Sequence, residues 1–369
     1  MKVLFDHQAF SNQTYGGTSR YFFELLTEIH SKKLCEFELP LIFSNNAYLK
    51  SSQFTKPLPF LHEVEFTGKR RLLNVINNHK SMDKLNVGNF DVFHPTHYNP
   101  YFLYSLGEKP FVITVYDMIH ERFPEQFSKL DKTSAHKRLL ANKADKILAI
   151  SKNTKKDLVE YLGIDPKKVV VTPLATSMRA DKNAMAKIGP SFALPKKFIL
   201  FVGVRAGYKN FNLFFESISS LLKKTEVSLV CVGGGKFSST EQELFEKSGL
   251  VGKVLQFSVS DSELPLFYSK ALFFAFPSLY EGFGIPILEA FSCGCPVVLS
   301  KASCFPEVAE KAALYFDPTD KNSIKNSVER LLSDEKLRSI LAKKGKERAK
   351  EFSWNKTAKQ TVEVYKSLV

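Results

Sequence analysis

The chain has 369 residues, 44% hydrophobic and 24% charged, a composition that excludes a disordered chain and suits a globular protein of two domains. Its formal net charge of +14 favours anionic partners such as nucleotides, acidic lipid surfaces or nucleic acid, without choosing among them. No apolar run is long enough for a membrane-spanning helix. The five cysteines include no CxxC pair, so we expect reduced thiols in a cytosolic protein and no zinc site.

The first half alternates short strand-like runs with amphipathic helices. Its start, MKVLFDHQAF, lacks a long apolar region and a cleavage site, so it predicts a first strand rather than a signal peptide. The runs PFVITVYD and KADKILAIS predict two further strands. Ser151 is a suitable N-cap for the helix KNTKKDLVEYLG, which Gly163 ends. The segment SRYFFELLTEI is an earlier helix, whose predicted apolar face comprises Tyr21, Phe22, Leu25, Leu26 and Ile29.

The second half repeats this alternation with the runs FILFVG, VSLVCVGGG, KVLQFSV, ALFFAFPS and PVVLS. Strands that alternate with helices in both halves predict two parallel, doubly wound α/β sheets. Residues 177 to 195 are polar with Gly and Pro and interrupt the pattern. We therefore predict an N-terminal domain at 1–185, a C-terminal domain at 186–352, and a last helix at 353–369 that packs back toward the N-terminal domain. Ligands of such sheets bind beyond the carboxyl ends of the strands.

The segment LYEGFGIPILEAFSCG predicts a loop and a helix that begins near Pro286 and ends at Gly294. Backbone N–H groups at the start of a helix form an anion site. Glu281 precedes the helix and Glu289 lies one turn inside it, so each can accept hydrogen bonds from hydroxyl groups on either side of a bound phosphate. A solvated helix acid is the alternative for Glu289, but its apolar neighbours favour a buried functional role.

Positive groups follow the first strand of the second half, in FVGVRAGYKN. Arg205 and Lys209 there suit a diphosphate, because arginine binds phosphate oxygens in bidentate fashion and lysine acts as a point charge. Ordinary surface charges are the alternative. The triple glycine at 233–235 is a weak phosphate-loop signal and more simply a turn after a strand.

Together these motifs, with YGGTSRYFFEL, DVFHPTHYNPYF, TVYDMIHERFPEQF, CFPEVAEKAALYFDP and FSWNKTA, resemble glycosyltransferase family 4, retaining enzymes of the GT-B fold, over nearly the whole chain. The resemblance implies two Rossmann-like domains that face a central cleft. It also implies that Glu281 contacts the transferred sugar, that Glu289 holds the ribose, and that Arg205 and Lys209 bind the diphosphate. The other donor-binding residues that it implies are Gly16, Gly17, Val259, Gly282, Phe283 and Gly284.

The resemblance assigns the first half to the acceptor. Asp117 ends a strand and, with Glu281, Arg205 and Lys209, completes the predicted catalytic group. Many family members carry a histidine where this chain has Tyr116, which leaves that contact with the donor sugar open. The acceptor candidates are His94, His97, Tyr116 and His120, and for each histidine a structural role is the alternative.

The sequence thus predicts a retaining glycosyltransferase that moves a hexose, mannose in the first instance, from a nucleotide diphosphate sugar to a glycan or lipid-linked acceptor in surface-polysaccharide biosynthesis. We expect no metal and no cofactor besides the donor, no nucleic-acid partner, and a cytoplasmic location. The alternatives are a GT-B nucleotide-sugar epimerase, a glycosidase with two carboxylates, and a basic nucleic-acid-binding protein.

A basic stretch at residues 129 to 156 adds a membrane hypothesis. It holds nine Lys or Arg against two Asp, so we predict peripheral contact with the anionic inner face of a membrane. Four apolar side chains of the stretch are predicted to be core rather than membrane-inserting: Leu139, Leu140, Ile147 and Leu148.

Overall fold

A computed structural model describes residues 1–61, 64–180 and 192–369. The chain divides into two compact units. Unit 1 comprises Met1–Leu174 and Ser353–Val369, and unit 2 comprises Ala175–Phe352. The boundary predicted between residues 185 and 186 lies outside the described residues. All five cysteines are free, and no helix of the described part of the chain has the length and apolarity that crossing a membrane requires.

Unit 1 contains parallel strands. Strand β1 pairs with β2 on one side and β3 on the other, while β5 lies between β4 and β6. A bridge between Phe93 and Phe111 connects the two groups of strands, so the order is β2-β1-β3-β4-β5-β6. The bounds are β1 Lys2–Phe5, β2 Glu36–Glu38, β3 Val92–His94, β4 Val112–Val115, β5 Lys146–Ala149 and β6 Val169–Val171.

The helices of this part of the chain confirm the predicted patterns. All five apolar residues predicted for the first long helix are buried. The Ser151 side chain accepts a hydrogen bond from the N–H of Thr154, and Gly163 ends that helix with a φ of 67°. The bounds are α1 Gln8–Asn12, α2 Gly17–Ser31, α3 Lys69–Val87, α4 Ile119–Arg122, α5 Thr133–Lys143 and α6 Lys152–Leu162.

Unit 2 contains one parallel sheet with the order β12-β11-β10-β7-β8-β9. The chain leaves β7 toward β8 and β9, and then returns to the other side of β7 to form β10. Its strands are β7 Phe198–Val202, β8 Ser228–Val232, β9 Val254–Phe257, β10 Phe273–Phe276, β11 Val297–Ser300 and β12 Leu314–Phe316. Its helices are α7 Phe211–Lys224, α8 Ser239–Lys247, α9 Leu264–Lys270, α10 Ile285–Ser292, α11 Phe305–Ala309, α12 Lys321–Ser333 and α13 Glu335–Ala349.

The last helix, α14 Trp354–Lys366, packs against α2 within unit 1. The Trp354 ring lies 6.1 Å from that of Tyr21. The Tyr365 hydroxyl lies 2.6 Å from Nδ1 of His94, whose Nε2 lies 3.0 Å from the Thr114 hydroxyl. His94 is fully buried, and both of its ring nitrogens have protein partners. The structure therefore does not favour His94 as an acceptor ligand; it is a core residue that connects α14 to β3 and β4.

Burial lowers the pKa of His94 to about 3 from the usual 6.5. The unfolded chain therefore binds a proton that the folded chain excludes, and stability falls as the pH drops from 6.5 toward 3. We expect the free energy of unfolding of unit 1 to decline in this window, with up to about 1.4 kcal/mol per pH unit from His94 alone. The free energy of unfolding of His94→Gln, measured by chemical denaturation at a series of pH values, is expected to fall less steeply with decreasing pH than that of the wild type. The exposed His79→Gln is the matched control; equal slopes for all three proteins would contradict the prediction.

Candidate functional site

The loops that follow β7 and β10 meet at the point where the strand order of unit 2 reverses. Lys209 lies after β7, and its Nζ is 2.6 Å from Oε1 of Glu281, which lies after β10. Ser278 donates a hydrogen bond to the same carboxylate oxygen at 2.8 Å. The N–H of Leu279 donates to the carbonyl of Tyr208 at 2.7 Å and joins the two loop backbones. A lysine and a carboxylate thus span the crevice in which ligands of open parallel sheets bind.

The loop after β11 supports Glu281 from its other side. The N–H of Glu281 donates to the Ser303 hydroxyl at 3.1 Å, and the Cys304 thiol donates to the Glu281 carbonyl at 3.2 Å. Burial raises the pKa of the Cys304 thiol, which keeps it protonated as a donor. Both polar groups of the Glu281 backbone are therefore held by one loop, which fixes the direction of its side chain.

The loop before α10 requires glycine at position 284. Gly284 has a φ of 86°, where any other residue is strained. A Cβ atom there would also lie 3.0 Å from Ile287 Cδ1 and 3.2 Å from Phe305 Cε1. Pro286 lies in the first turn of α10, as predicted. The Phe283 side chain is buried beside Phe352, so any ligand contact of this residue involves its backbone.

Glu289 is 3% exposed, which excludes the solvated helix acid. Its Oε2 accepts a hydrogen bond from the Tyr268 hydroxyl at 3.1 Å. Burial raises the pKa of Tyr268, and the adjacent carboxylate adds to the shift, so the phenol stays protonated and keeps donating. A buried carboxylate costs free energy unless it is hydrogen-bonded, and Tyr268 supplies a partner.

Arg205 differs from Lys209 although both follow β7. Its side chain is 3% exposed, and Nε donates to Glu241 at 2.6 Å. Three further hydrogen bonds go to backbone carbonyls after β8. Burial raises the pKa of Glu241, but hydrogen bonds from Arg205 and Ser238 outweigh it, and the net pKa lies below the usual 4.5. This geometry does not favour a direct phosphate contact by Arg205.

Val259 follows β9 at the same edge of the sheet.

The Gly16–Gly17 loop of unit 1 is shaped by Gln13. The Gln13 side chain accepts a hydrogen bond from the N–H of Ser19 at 2.9 Å, near the start of α2. A Cβ atom on Gly16 would lie 2.4 Å from the same Gln13 oxygen, whereas Gly17 has open space. Gly16 is therefore explained by the packing of Gln13, and the predicted donor contact of both glycines stays a prediction.

Asp117 lies two residues after β4, in a loop that a buried lysine holds. Lys137 is only 1% exposed, and its Nζ donates to the Asp117 carbonyl and to Oε2 of Glu121, both at 2.8 Å. The Asp117 side chain accepts from the N–H of Ile119 at 3.0 Å. The Tyr116 hydroxyl donates to the Thr96 carbonyl at 3.4 Å.

His97 and His120 are the remaining acceptor candidates, and both are half-buried. Burial lowers the pKa of His97, although Asp6 and Asp117 oppose the shift. The His120 ring stacks on Phe127 at 3.9 Å, with Nε2 3.5 Å from Asp131. Of the four predicted acceptor residues, His94 is therefore a core histidine, whereas His97, Tyr116 and His120 lie near Asp117.

Sequence reasoning missed several residues that hold the predicted ones. The sequence indicates the capping box that Ser238 and Glu241 form at the start of α8. Nothing in the sequence indicates the hydrogen bond between Glu241 and Arg205. The others are Ser278, Ser303, Cys304, Tyr268 and Lys137. Among the residues that the structure describes, no group of three or more His, Cys, Asp or Glu side chains is arranged to hold a metal; metal independence stays a prediction.

Solved structures with this architecture identify the fold. One from Anabaena, Alr3699/HepE in complex with UDP and glucose, covers all of this chain and all of its own, with a TM-score of 0.76 and 17% identity. The chain therefore has the GT-B fold of glycosyltransferases, with two Rossmann-like domains.

Sequence comparison gives the family. The family model described as Glycosyltransferase Family 4 matches residues 15–176, and the one described as Glycosyl transferases group 1 matches residues 187–348. O-antigen chain mannosyltransferase B of Escherichia coli is 30% identical over 256 residues, or 67% of each chain. A diphospho-undecaprenol 4-alpha-N-acetylgalactosaminyltransferase of Campylobacter jejuni is 32% identical over 227 residues, covering 61% of this chain and 60% of its own. The chain belongs to glycosyltransferase family 4, and it is a glycosyltransferase.

Proposed function

We propose that the chain is a retaining hexosyltransferase of surface-polysaccharide biosynthesis. It transfers a hexose, mannose in the first instance, from a nucleotide diphosphate sugar to a hydroxyl of a glycan or lipid-linked acceptor. The observation that carries the proposal is the Lys209–Glu281 pair at the strand-order reversal of unit 2. The names of the relatives support it, since one is an O-antigen mannosyltransferase and another acts on a diphospho-undecaprenol-linked sugar.

The pair suits the chemistry of donor cleavage. Negative charge grows on the diphosphate as the glycosidic bond breaks, and a preorganised cation at that place lowers the barrier. Lys209 supplies the cation, and the N–H groups at the start of α10 supply further positive potential. Glu281 is paired with Lys209 and accepts a hydrogen bond from Ser278, so it is suited to accept hydrogen bonds from sugar hydroxyls. Glu289 is assigned to the ribose.

The acceptor side is assigned to unit 1. In a retaining transfer of this kind the leaving phosphate takes the acceptor proton on the face from which it departs, so the protein has to orient a hydroxyl rather than supply a strong base. Asp117, Tyr116, His97 and His120 follow strands of one parallel sheet and provide hydrogen-bonding groups for this purpose. His94 is omitted because it is a core residue.

Hydrolysis of a panel of nucleotide sugars by the purified chain, with and without EDTA, tests the function. We expect one donor to release its nucleoside diphosphate slowly to water, with the same rate in EDTA. The panel includes GDP-mannose and UDP-glucose, because the relatives point to mannose and a structural neighbour binds UDP. Conversion of a donor to its epimer without release would favour the epimerase, and failure to bind or consume any donor would contradict the proposal.

The two glutamates are expected to respond differently to substitution. Glu289→Ala removes a buried carboxylate assigned to the ribose, so binding of the free nucleoside diphosphate should weaken by about 1.5–3 kcal/mol, the range for a hydrogen bond to a charged group. Glu281→Gln should leave that affinity nearly unchanged and lower turnover, because its assigned partner is the transferred sugar. Calorimetry and initial rates measure the two effects.

Tyr268→Phe is the matched control for Glu289. It removes one hydroxyl from the buried carboxylate and keeps the ring, so its loss of affinity should be smaller than that of Glu289→Ala. Thermal unfolding of each variant separates lost binding from lost folding. Equal losses of nucleotide affinity in the Glu289 and Glu281 variants would contradict the two roles.

Peripheral contact with an anionic membrane is a further part of the proposal, and two observations argue against residues 129–156 as its location. Lys137, counted among the basic residues of 129–156, is buried against Glu121. Leu139, predicted as core, is exposed, whereas Leu140, Ile147 and Leu148 are buried as predicted. The stretch therefore has fewer available cations than its sequence indicates. Cytoplasmic location stays a prediction.

A second surface of unit 1 combines apolar and basic groups. On α3, Leu72 and Val75 are 45% and 49% exposed, three residues apart on one helical face. Arg70 and Arg71 are exposed in the same first turns. The residues before α3 add further exposed apolar side chains, namely Leu58, Leu61, Val64 and Phe66. Apolar groups beside cations suit the interface of an anionic bilayer, so we assign the contact to this surface.

Vesicle co-sedimentation tests the assignment. Binding should require phosphatidylglycerol, fail with phosphatidylcholine alone, and weaken as salt shortens the Debye length. The charge-reversal pair Arg70→Glu/Arg71→Glu should abolish it, since each cation contributes about 1 kcal/mol near the surface. The equally charged Arg138→Glu/Lys143→Glu variant is the matched control. The reverse pattern would return the contact to 129–156, and tighter binding to nucleic acid than to anionic lipid would overturn the membrane proposal.

A further inference from the structure

Arg205 is buried beneath the turn that follows β8. Its Nη1 donates to the Gly233 carbonyl at 2.8 Å, and its Nη2 donates to the carbonyls of Gly235 and Lys236 at 3.0 and 3.1 Å. The guanidinium also lies 4.8 Å from the centre of the Phe237 ring. With Glu241 on Nε, four of the five N–H groups of an arginine have protein acceptors. The side chain thus holds the inner face of the turn.

The turn needs such a partner because of its backbone. Gly233, Gly234 and Gly235 have φ values of 82°, 70° and 73°, a left-handed run that only glycine adopts without strain. A Cβ atom on Gly234 would lie 2.9 Å from Arg205 Nη1. Glycine loses more backbone entropy on ordering than any other residue, so three in succession stay in one conformation only if other groups hold them.

Glu241 holds the Arg205 side chain in place. Its Oε1 accepts from Arg205, while its Oε2 accepts from the N–H and the hydroxyl of Ser238 at the start of α8. A buried ion pair is costly to break on one side only, since the remaining charge has no partner. The β7 loop, the glycine turn and α8 are therefore coupled through one arginine and one glutamate.

The outer face of the turn lies at the carboxyl edge of the sheet. Gly234, Gly235 and Lys236 are exposed, and β8 lies between β7, which Lys209 follows, and β9, which Val259 follows. Among the described residues, no hydrogen bond joins the N–H of Gly234 or of Gly235 to a protein acceptor. The carbonyls of the turn accept hydrogen bonds from the buried Arg205. The N–H groups of Gly234 and Gly235 are therefore left for a ligand at this edge.

We propose that Arg205 and Glu241 are positioning residues, which hold the 233–236 turn as one wall of the nucleotide site, and that Arg205 does not itself bind the donor phosphates. The inference rests on the proposed function, because it takes the carboxyl edge of the unit 2 sheet as the nucleotide site. Lys209, and not Arg205, is then the cation that stabilises the negative charge of the diphosphate.

The experiment compares Arg205→Ala, Glu241→Ala, the double variant and Ser238→Ala in calorimetry with UDP, UMP, GDP and GMP. The comparison uses the nucleotides, uridine or guanosine, that the wild type binds. We expect Arg205→Ala and Glu241→Ala each to weaken binding of the diphosphate and of the monophosphate by the same factor, about tenfold. The double variant should be no weaker than either single variant, because one coupled unit is lost. Ser238→Ala removes the cap of α8 but keeps the ion pair, so it controls for damage to α8 and should bind like the wild type.

A direct phosphate ligand would behave differently. Arg205→Ala would then lower the affinity for the diphosphate more than for the monophosphate, while Glu241→Ala would leave both unchanged, and this pattern overturns the proposal. Arg205→Lys adds a second criterion. A lysine keeps the charge but has three donors in place of a planar fork, so it should fail to restore binding if the turn is what matters, and restored binding would count against positioning.

Hydrogen exchange of the nucleotide-free protein separates this inference from the proposed function. The amide of Gly233, which donates to the Phe257 carbonyl at 3.2 Å, should exchange faster in Arg205→Ala and Glu241→Ala than in the wild type, with the strand amides of β10, β11 and β12 unchanged. Unchanged exchange in this turn overturns the positioning role. A wild type that binds neither UDP nor GDP, but whose turn loosens in both variants, contradicts the nucleotide site and leaves the positioning of the turn intact.

Discussion

The reversal of strand order between β7 and β10 is the constraint on which the proposed donor site depends. Because the chain leaves these neighbouring strands toward opposite sides of the sheet, a crevice forms between their loops at the carboxyl edge. The Lys209–Glu281 pair crosses that crevice, and the Leu279–Tyr208 hydrogen bond fixes the distance between its two sides. Ser303 and Cys304, after β11, then orient Glu281. The site is thus assembled from strands that are neighbours in space and distant in sequence.

One buried cation in each unit forms an ion pair inside the fold, and this changes what the net charge of +14 means. Arg205 is paired with Glu241, and Lys137 with Glu121. Removing a charge from water is costly unless a partner compensates, and each of these cations has its partner inside the fold. Lys209, by contrast, pairs with Glu281 at the crevice itself.

Unit 1 is completed by a helix that lies beyond unit 2 in the sequence. The apolar face of α14 packs on α2, and its Tyr365 supplies a partner for the buried imidazole of His94. The chain therefore passes from unit 1 to unit 2 and back again. Asp117, His97 and His120, the groups assigned to the acceptor, lie in the unit to which the last helix belongs.

The sequence alone determined the two parallel α/β sheets, the Ser151 cap, the buried face of α2, and the neighbourhood of Lys209 and Glu281, because local periodicity and position after a strand report these features directly. It did not separate Arg205 from Lys209, or His94 from His97, since each pair has the same local context. Only the tertiary structure decided that Arg205 and His94 have their partners inside the protein. The physical reason is that the partner of a side chain depends on contacts between distant segments, such as Glu241 and Tyr365, and the energetic cost of burying a polar group without a partner then determines which groups stay inside.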